Sequence, residues 1–166
     1  YEELKVTKPA AMRPVFIIGS EVPIPGGARE VEEGLQVTKV EDFKDTVSTY
    51  SKVFEEEGVG CGMGDVIAVV VQPGVEFGDN QVFFYDPKAA ESLSKSLKEF
   101  PNLCFEGHST DYQSAKCLKD MVNDGIAILK VGPALTYGLR EALFALSMIE
   151  KELVPESQQA NFIETL

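Results

Sequence analysis

A chain of 166 residues can form one ordinary domain, but it falls short of the roughly 250 residues of a closed (β/α)8 barrel. Hydrophobic residues make up 44% and charged residues 25%, with no low-complexity tract, so a packed core is expected and disorder is not. With 27 acidic against 15 basic residues, the formal net charge of -12 repels phosphate backbones and anionic lipid. Nucleic acid and membrane surfaces are therefore poor partners, although a local anion pocket could still hold a small substrate.

Four short apolar runs punctuate the chain: Pro14–Gly19, Asp65–Gln72, Leu103–Gly107 and Ile126–Val131. Their continuous, β-branched character predicts strands buried on both faces, as parallel strands are. Between the first two, Val40–Gly58 opens with Glu41 and Asp42, spaces Phe43, Val47, Tyr50 and Phe54 three or four apart, and stops at a glycine. That pattern predicts an amphipathic helix with both ends marked.

Asp86 followed by Pro87 predicts an N-cap and first-turn pair for a second helix lined by Ala90, Leu93 and Leu97, ending before Pro101. A third helix is expected from Tyr112 to Asn123. The fourth should start near Ala134 and run to Leu153, burying Leu135, Leu139, Leu143, Leu146 and Ile149. Strict β-α alternation implies an α/β fold with a parallel sheet, either open or part of a barrel. The tail after Val154 reads as a connector or a short extra helix.

Cys61, Cys104 and Cys117 are odd in number and lack C-x-x-C spacing, which argues against a disulfide framework and a zinc ribbon and for a reducing cytoplasm. No apolar run reaches the length of about 18 residues that a membrane span needs, and the start lacks a signal-peptide pattern. The start also lacks a methionine, so the chain is expected to be a piece of a longer protein.

Chemistry-bearing residues gather just after the runs, at the strand ends where α/β enzymes place their sites. His108, the sole histidine, could be a general acid/base or a zinc ligand assisted by Glu21; the plainer alternative is an imidazole satisfied within its loop. Lys130 interrupts an apolar run, and is expected either to pair with Glu106 or to be tuned for Schiff-base chemistry. Gly107, Ser109, Thr110 and Gly132 suit a phosphate, since small residues let backbone N–H groups approach an anion and a helix begins nearby. The alternative is that Gly132-Pro133 makes a tight turn and Ser109 caps a helix. Glu76 and Asp79 read as a solvated loop edge.

The words IGSEVPIPGG (18–27), VVVQPGVEFG (69–78), FEGHSTDYQ (105–113) and IAILKVGPALTYGLREALFALSMI (126–149) together resemble the GatZ/KbaZ family, the non-catalytic Z subunits of bacterial D-tagatose-1,6-bisphosphate aldolase. The resemblance covers nearly the whole chain, and it implies the C-terminal half of a (β/α)8 TIM barrel related to class II aldolases. On that reading residues 1–166 form one partial barrel domain of about four βα units, the rest of the barrel lying outside the chain.

The resemblance further implies an accessory subunit that supports a catalytic Y-type partner in galactitol, tagatose or N-acetylgalactosamine catabolism. The competing expectation is an aldolase in its own right, using His108 with Glu21 at a metal, or Lys130 as a Schiff base. Some family members carry an older name as tagatose-6-phosphate kinases, but no G-x-x-x-x-G-K-[ST] loop occurs here. In class II aldolases several histidines hold zinc, whereas here only His108 stands at a strand end. Zinc is thus the one candidate cofactor, at a depleted site. Four βα units expose sheet edges that barrel closure would remove, so the isolated chain is expected to aggregate or form a homo-oligomer.

Overall fold

A computed structural model describes residues 14–19, 36–58 and 62–165. The chain divides into two compact units, Tyr1–Lys130 and Val131–Leu166.

In the first unit the four apolar runs become strands β1 (Phe16–Ile18), β2 (Val66–Val71), β5 (Cys104–Gly107) and β6 (Ile126–Leu129). They form one sheet in the order β1-β2-β5-β6, with every pairing parallel. The fold is therefore mixed α/β with a parallel sheet, as the alternation predicted. Each strand is shorter than its run by one to three residues in all, because ladder pairing stops before the apolar character does.

Helix α1 (Val40–Glu56) buries Phe43 and Val47, with Tyr50 and Phe54 packed partly against the same core. Acidic Glu41 and Asp42 occupy its first turn, where they complement the helix dipole. It ends at Gly58, whose φ of +60° is a left-handed conformation that glycine adopts without a Cβ penalty.

The second helix departs from expectation. Asp86 does accept a backbone hydrogen bond from Lys88 N at 2.9 Å, but the residues after it form a turn, and helix α2 spans only Glu91–Ser96 with Ala90 at its N-cap. Asp86 thus caps a local turn in place of the helix. The face predicted for this helix is nevertheless correct: Ala90 and Leu93 are buried and Leu97 packs partly against the core.

Helix α3 (Ala115–Asn123) starts three residues later than predicted, because Tyr112 has φ +61° and Ser114 caps the helix through Cys117 N at 3.1 Å. At its far end Gly125 has φ +93°, and a Cβ there would lie 2.5 Å from Leu97 Cδ2. Gly125→Ala should therefore cost about 1–3 kcal/mol in a urea unfolding experiment. A change below a few tenths would show that the turn relaxes freely.

An unpredicted hairpin interrupts the alternation after β2. Strands β3 (Glu76–Phe77) and β4 (Val82–Phe83) pair antiparallel around Asp79 and Asn80, closed by Gly78 N donating to Gln81 O at 2.8 Å. Turn-forming Asp79-Asn80 between apolar segments is the signal that marked it. Asp79 is exposed as expected, but Glu76 is buried and accepts from Phe77 N at 2.9 Å; the reading of Glu76 as a solvated edge is corrected.

The core lies between the sheet and its helices. Phe105 on β5 and Phe43 on α1 meet edge-to-face at 5.0 Å, and Phe100 meets Phe43 at 5.1 Å. Val69, Met121 and Ile126 complete this layer, each fully buried apolar side chain stabilising the fold by about 1.5–3 kcal/mol.

In the second unit helix α4 (Pro133–Leu153) has Gly132 as N-cap and Pro133 at the first position, as a helix start favours. A short helix α5 (Phe162–Thr165) returns beside it, with Phe144 and Phe162 in edge contact at 6.3 Å and Lys151 paired with Glu164 at 2.5 Å. The stripe predicted to be buried is not: Leu135, Leu139, Leu146 and Ile149 are each more than half exposed. Helix α5 lies instead against the side of α4 that carries Phe144 and Lys151, roughly opposite the predicted stripe at 100° per residue. Among the described residues no helix is long and apolar enough to cross a membrane.

Candidate functional site

The site is built on β5. Successive side chains on a strand point to opposite faces, and β5 uses that alternation to separate core from chemistry. Phe105, in register with Val69 on one side and Ile126 on the other, faces the helix layer. Glu106, in register with Val70 and Ile128, faces the other way. It is only 4% exposed. An ionised carboxylate so placed is costly unless other groups compensate it.

Two groups do so through one oxygen. His108 Nε2 lies 2.7 Å from Glu106 Oε1, and Lys130 Nζ lies 3.5 Å from the same atom. The structure therefore brings together His108 and Lys130, singled out from the sequence, around Glu106, which the sequence suggested as a partner for Lys130 and placed close to His108. A charge inside an apolar parallel strand was the signal for Glu106.

The His108 side chain retains 22% exposure and Lys130 retains 58%. Lys130 is not inside the strand, as its apolar surroundings in the sequence suggested; β6 ends at Leu129, and the ammonium stands at the rim. The predicted Glu106 pairing is present, but the desolvation that would activate a Schiff-base lysine is missing.

Loops after β5 and β6 are tied together by backbone bonds. Lys130 N donates to Gly107 O at 2.9 Å, and Thr110 N donates to Lys130 O at 3.2 Å; the Thr110 hydroxyl donates to the same carbonyl at 2.9 Å. Both Thr110 donors are thus engaged within the protein, and holding the turn is their observed role. Gly107 is likewise explained by packing, since an added Cβ would meet Ile126 Cγ2 at 3.1 Å and Met121 Cε at 3.4 Å. Ser109, between them, is partly exposed and has φ +54°. A non-glycine residue in that region is strained and persists only where its surroundings hold it. Gly132 belongs to the second unit.

The hairpin braces the same loop. Gln113, which is buried, donates through Nε2 to Phe83 O at 2.8 Å and accepts through Oε1 from Tyr85 N at 3.0 Å. Tyr112 meets Phe77 edge-on at 5.5 Å. Sequence reasoning missed Gln113 altogether, because nothing local distinguishes a buried glutamine from a surface one.

Glu21 and Cys61 lie outside the described residues. Among the described residues no cluster of three or more His, Cys, Asp or Glu side chains is arranged to hold a metal ion. Zinc takes at least three protein ligands, so His108 with Glu106 does not by itself fit it.

The ionisable groups Tyr85 and Cys104 are shifted, and neither is activated. Burial, and next the hydrogen bond of 2.8 Å to Asp124 Oδ2, pushes the Tyr85 phenol far above its ordinary range, leaving it a neutral donor. Burial is also the main influence on Cys104; a backbone hydrogen bond opposes it and the Glu106 charge adds to it, so the thiol is raised. Raising a thiol keeps it protonated and unreactive. Iodoacetamide at about pH 8 should alkylate Cys104 several-fold more slowly than an unstructured cysteine peptide, whose thiol ionises near 8.5. Equal rates by mass spectrometry would contradict this assignment.

Comparison with known proteins places this chain in a family. Residues 2–166 match the family described as D-tagatose-1,6-bisphosphate aldolase subunit GatZ/KbaZ-like.

The chain belongs to the GatZ/KbaZ-like family.

Its relatives carry differing names. A D-tagatose 6-phosphate 4-epimerase of Agrobacterium fabrum is 47% identical over 152 residues, covering 92% of this chain and 36% of that protein. A D-tagatose-1,6-bisphosphate aldolase subunit GatZ of Salmonella paratyphi B is 45% identical over 151 residues, covering 91% and 36%. The crystal structure of a probable tagatose 6 phosphate kinase from Sinorhizobium meliloti 1021 is similar with a TM-score of 0.71 at 43% identity, again covering 91% of this chain and 36% of that one. This GatZ/KbaZ-like chain thus spans about a third of the length of the relatives it matches.

Proposed function

We propose that this chain is part of an accessory subunit of a D-tagatose-1,6-bisphosphate aldolase. It would support the activity and stability of a catalytic Y-type subunit in galactitol, tagatose or N-acetylgalactosamine catabolism, in the cytoplasm. The observation that carries this reading is family membership along residues 2–166, joined by GatZ relatives at 45% identity.

The names of the Agrobacterium, Salmonella and Sinorhizobium proteins all contain a tagatose phosphorylated at its 6-position, so that ketose phosphate is the proposed substrate class. The partly exposed Ser109 and the Lys130 ammonium at the strand ends suit its phosphate. Gly107 and Thr110 stand in this proposal as the backbone that shapes the anion site, and Gly132 as a separate helix-start candidate for phosphate.

The proposed architecture is the latter half of a (β/α)8 barrel related to class II aldolases, with residues 1–166 as one partial barrel domain. Parallel strands adjacent in chain order support it, as does coverage of about a third of each relative.

A second reading, a sugar-phosphate enzyme in its own right, is favoured by the Glu106–His108 contact and by the name of the Agrobacterium relative. A kinase is the least supported, for want of a phosphate-binding loop signature. The deciding experiment is retro-aldol turnover of tagatose 1,6-bisphosphate by the full-length protein that carries this chain, with and without a Y-type subunit and with zinc present. Turnover only with the partner, above the partner's own rate, supports the accessory role. Clear turnover by the full-length protein alone replaces it with the enzyme reading.

A further inference from the structure

An accessory role needs no chemistry from this chain, yet the end of β5 is arranged for it. Glu106 is turned away from the helix-side core, flanked in register by Val70 and Ile128, and is 4% exposed. Its Oε1 stands 2.7 Å from His108 Nε2. A carboxylate accepts only, so the imidazole nitrogen facing it is the one that carries the hydrogen. The other nitrogen, Nδ1, is then the lone-pair nitrogen of a neutral ring. A carboxylate behind a histidine fixes its tautomer and stabilises the cation that forms when the ring takes a proton.

The residue that follows is held in a strained backbone conformation. Ser109 keeps φ +54°, and the turn is pinned by both Thr110 donors on Lys130 O. With Lys130 Nζ 3.5 Å from Glu106 Oε1, a cation, an acid–base group and a buried carboxylate share one rim.

We propose that Glu106 is a positioning residue that sets His108 Nδ1 as a proton acceptor for a hydroxyl of a sugar phosphate. The substrate class rests on the function proposed above; the tautomer does not. In the step, the sugar O–H bond breaks and its proton passes to Nδ1. The oxygen keeps the electron pair as an alkoxide, and the imidazolium is held by the Glu106 carboxylate.

Two measurements on the full-length protein test this. In the proton NMR spectrum, His108 should show a downfield, slowly exchanging Nε2–H signal, assigned by its disappearance in His108→Gln. That signal should vanish in Glu106→Leu while the remaining spectrum is preserved. Absence from the wild type, or survival in Glu106→Leu, overturns the proposal.

The second measurement follows D-tagatose 6-phosphate by ³¹P NMR without any Y-type subunit. Conversion is expected, with kcat falling at least tenfold in Glu106→Gln and in His108→Gln, KM changing less than threefold, and the double variant no worse than His108→Gln alone. Undiminished kcat in either variant, or independent multiplying losses, overturns it. A full-length protein that converts nothing overturns it too. The accessory reading would survive that result, because it is judged separately by stimulation of the partner.

Discussion

Phe43→Ala is expected to lower the unfolding free energy of the full-length protein by about 3–5 kcal/mol. Phe43 is 1% exposed and touches two rings edge-on, Phe100 at 5.1 Å and Phe105 at 5.0 Å. Truncation removes the transfer free energy of a buried ring and both aromatic contacts, which add about 0.5–1.5 kcal/mol apiece beyond area. It also leaves a cavity between α1 and β5. Phe105 is anchored on both sides by the ladder, so the sheet cannot move in to refill it. Urea unfolding of wild type and variant measures the difference. A loss under about 1 kcal/mol would mean that α1 collapses onto the sheet and that Phe43 is not a keystone of this core.

Glu106→Leu is expected to go the other way, leaving stability unchanged or raising it by about 1–4 kcal/mol. Burying a carboxylate forfeits hydration, and the two compensating groups are themselves partly in water, at 22% and 58% side-chain exposure. Their attraction is therefore screened, and releasing them costs little because both can be rehydrated. Leucine has a similar volume and would lie between Val70 and Ile128, its neighbours in register. A clear loss of stability would show that the His108 and Lys130 contacts contribute more than the desolvation they offset. A gain accompanied by lost function would show that a buried charge is kept here at the expense of stability, as strained functional sites commonly are.

The exposed stripe on α4 and the buried Glu76 show the same limit of sequence reading from two sides. Periodicity identifies which residues share a face, because 3.6 residues per turn is a local property. It does not supply the surface that covers the face. Leu135, Leu139, Leu146 and Ile149 do line one side of α4, but they are more than half exposed. Glu76 looked like a loop residue until the hairpin folded it inward.

What the sequence determined by itself is whatever depends on near neighbours: four short apolar runs as parallel strands, α1 with both its ends, α4 with its proline start, and the gathering of unusual residues at strand ends. Family words extended this to the GatZ/KbaZ likeness. Only the tertiary structure decided that Glu106 is the hub. Strand pairing sets Glu106 between Val70 and Ile128, 36 residues before it and 22 after, on the face that strand alternation already separates from Phe105. The same pairing brought Lys130 to the rim and engaged both donors of Thr110. Contacts between residues far apart in the chain depend on register and on the order of strands, and neither is written in any local stretch of sequence.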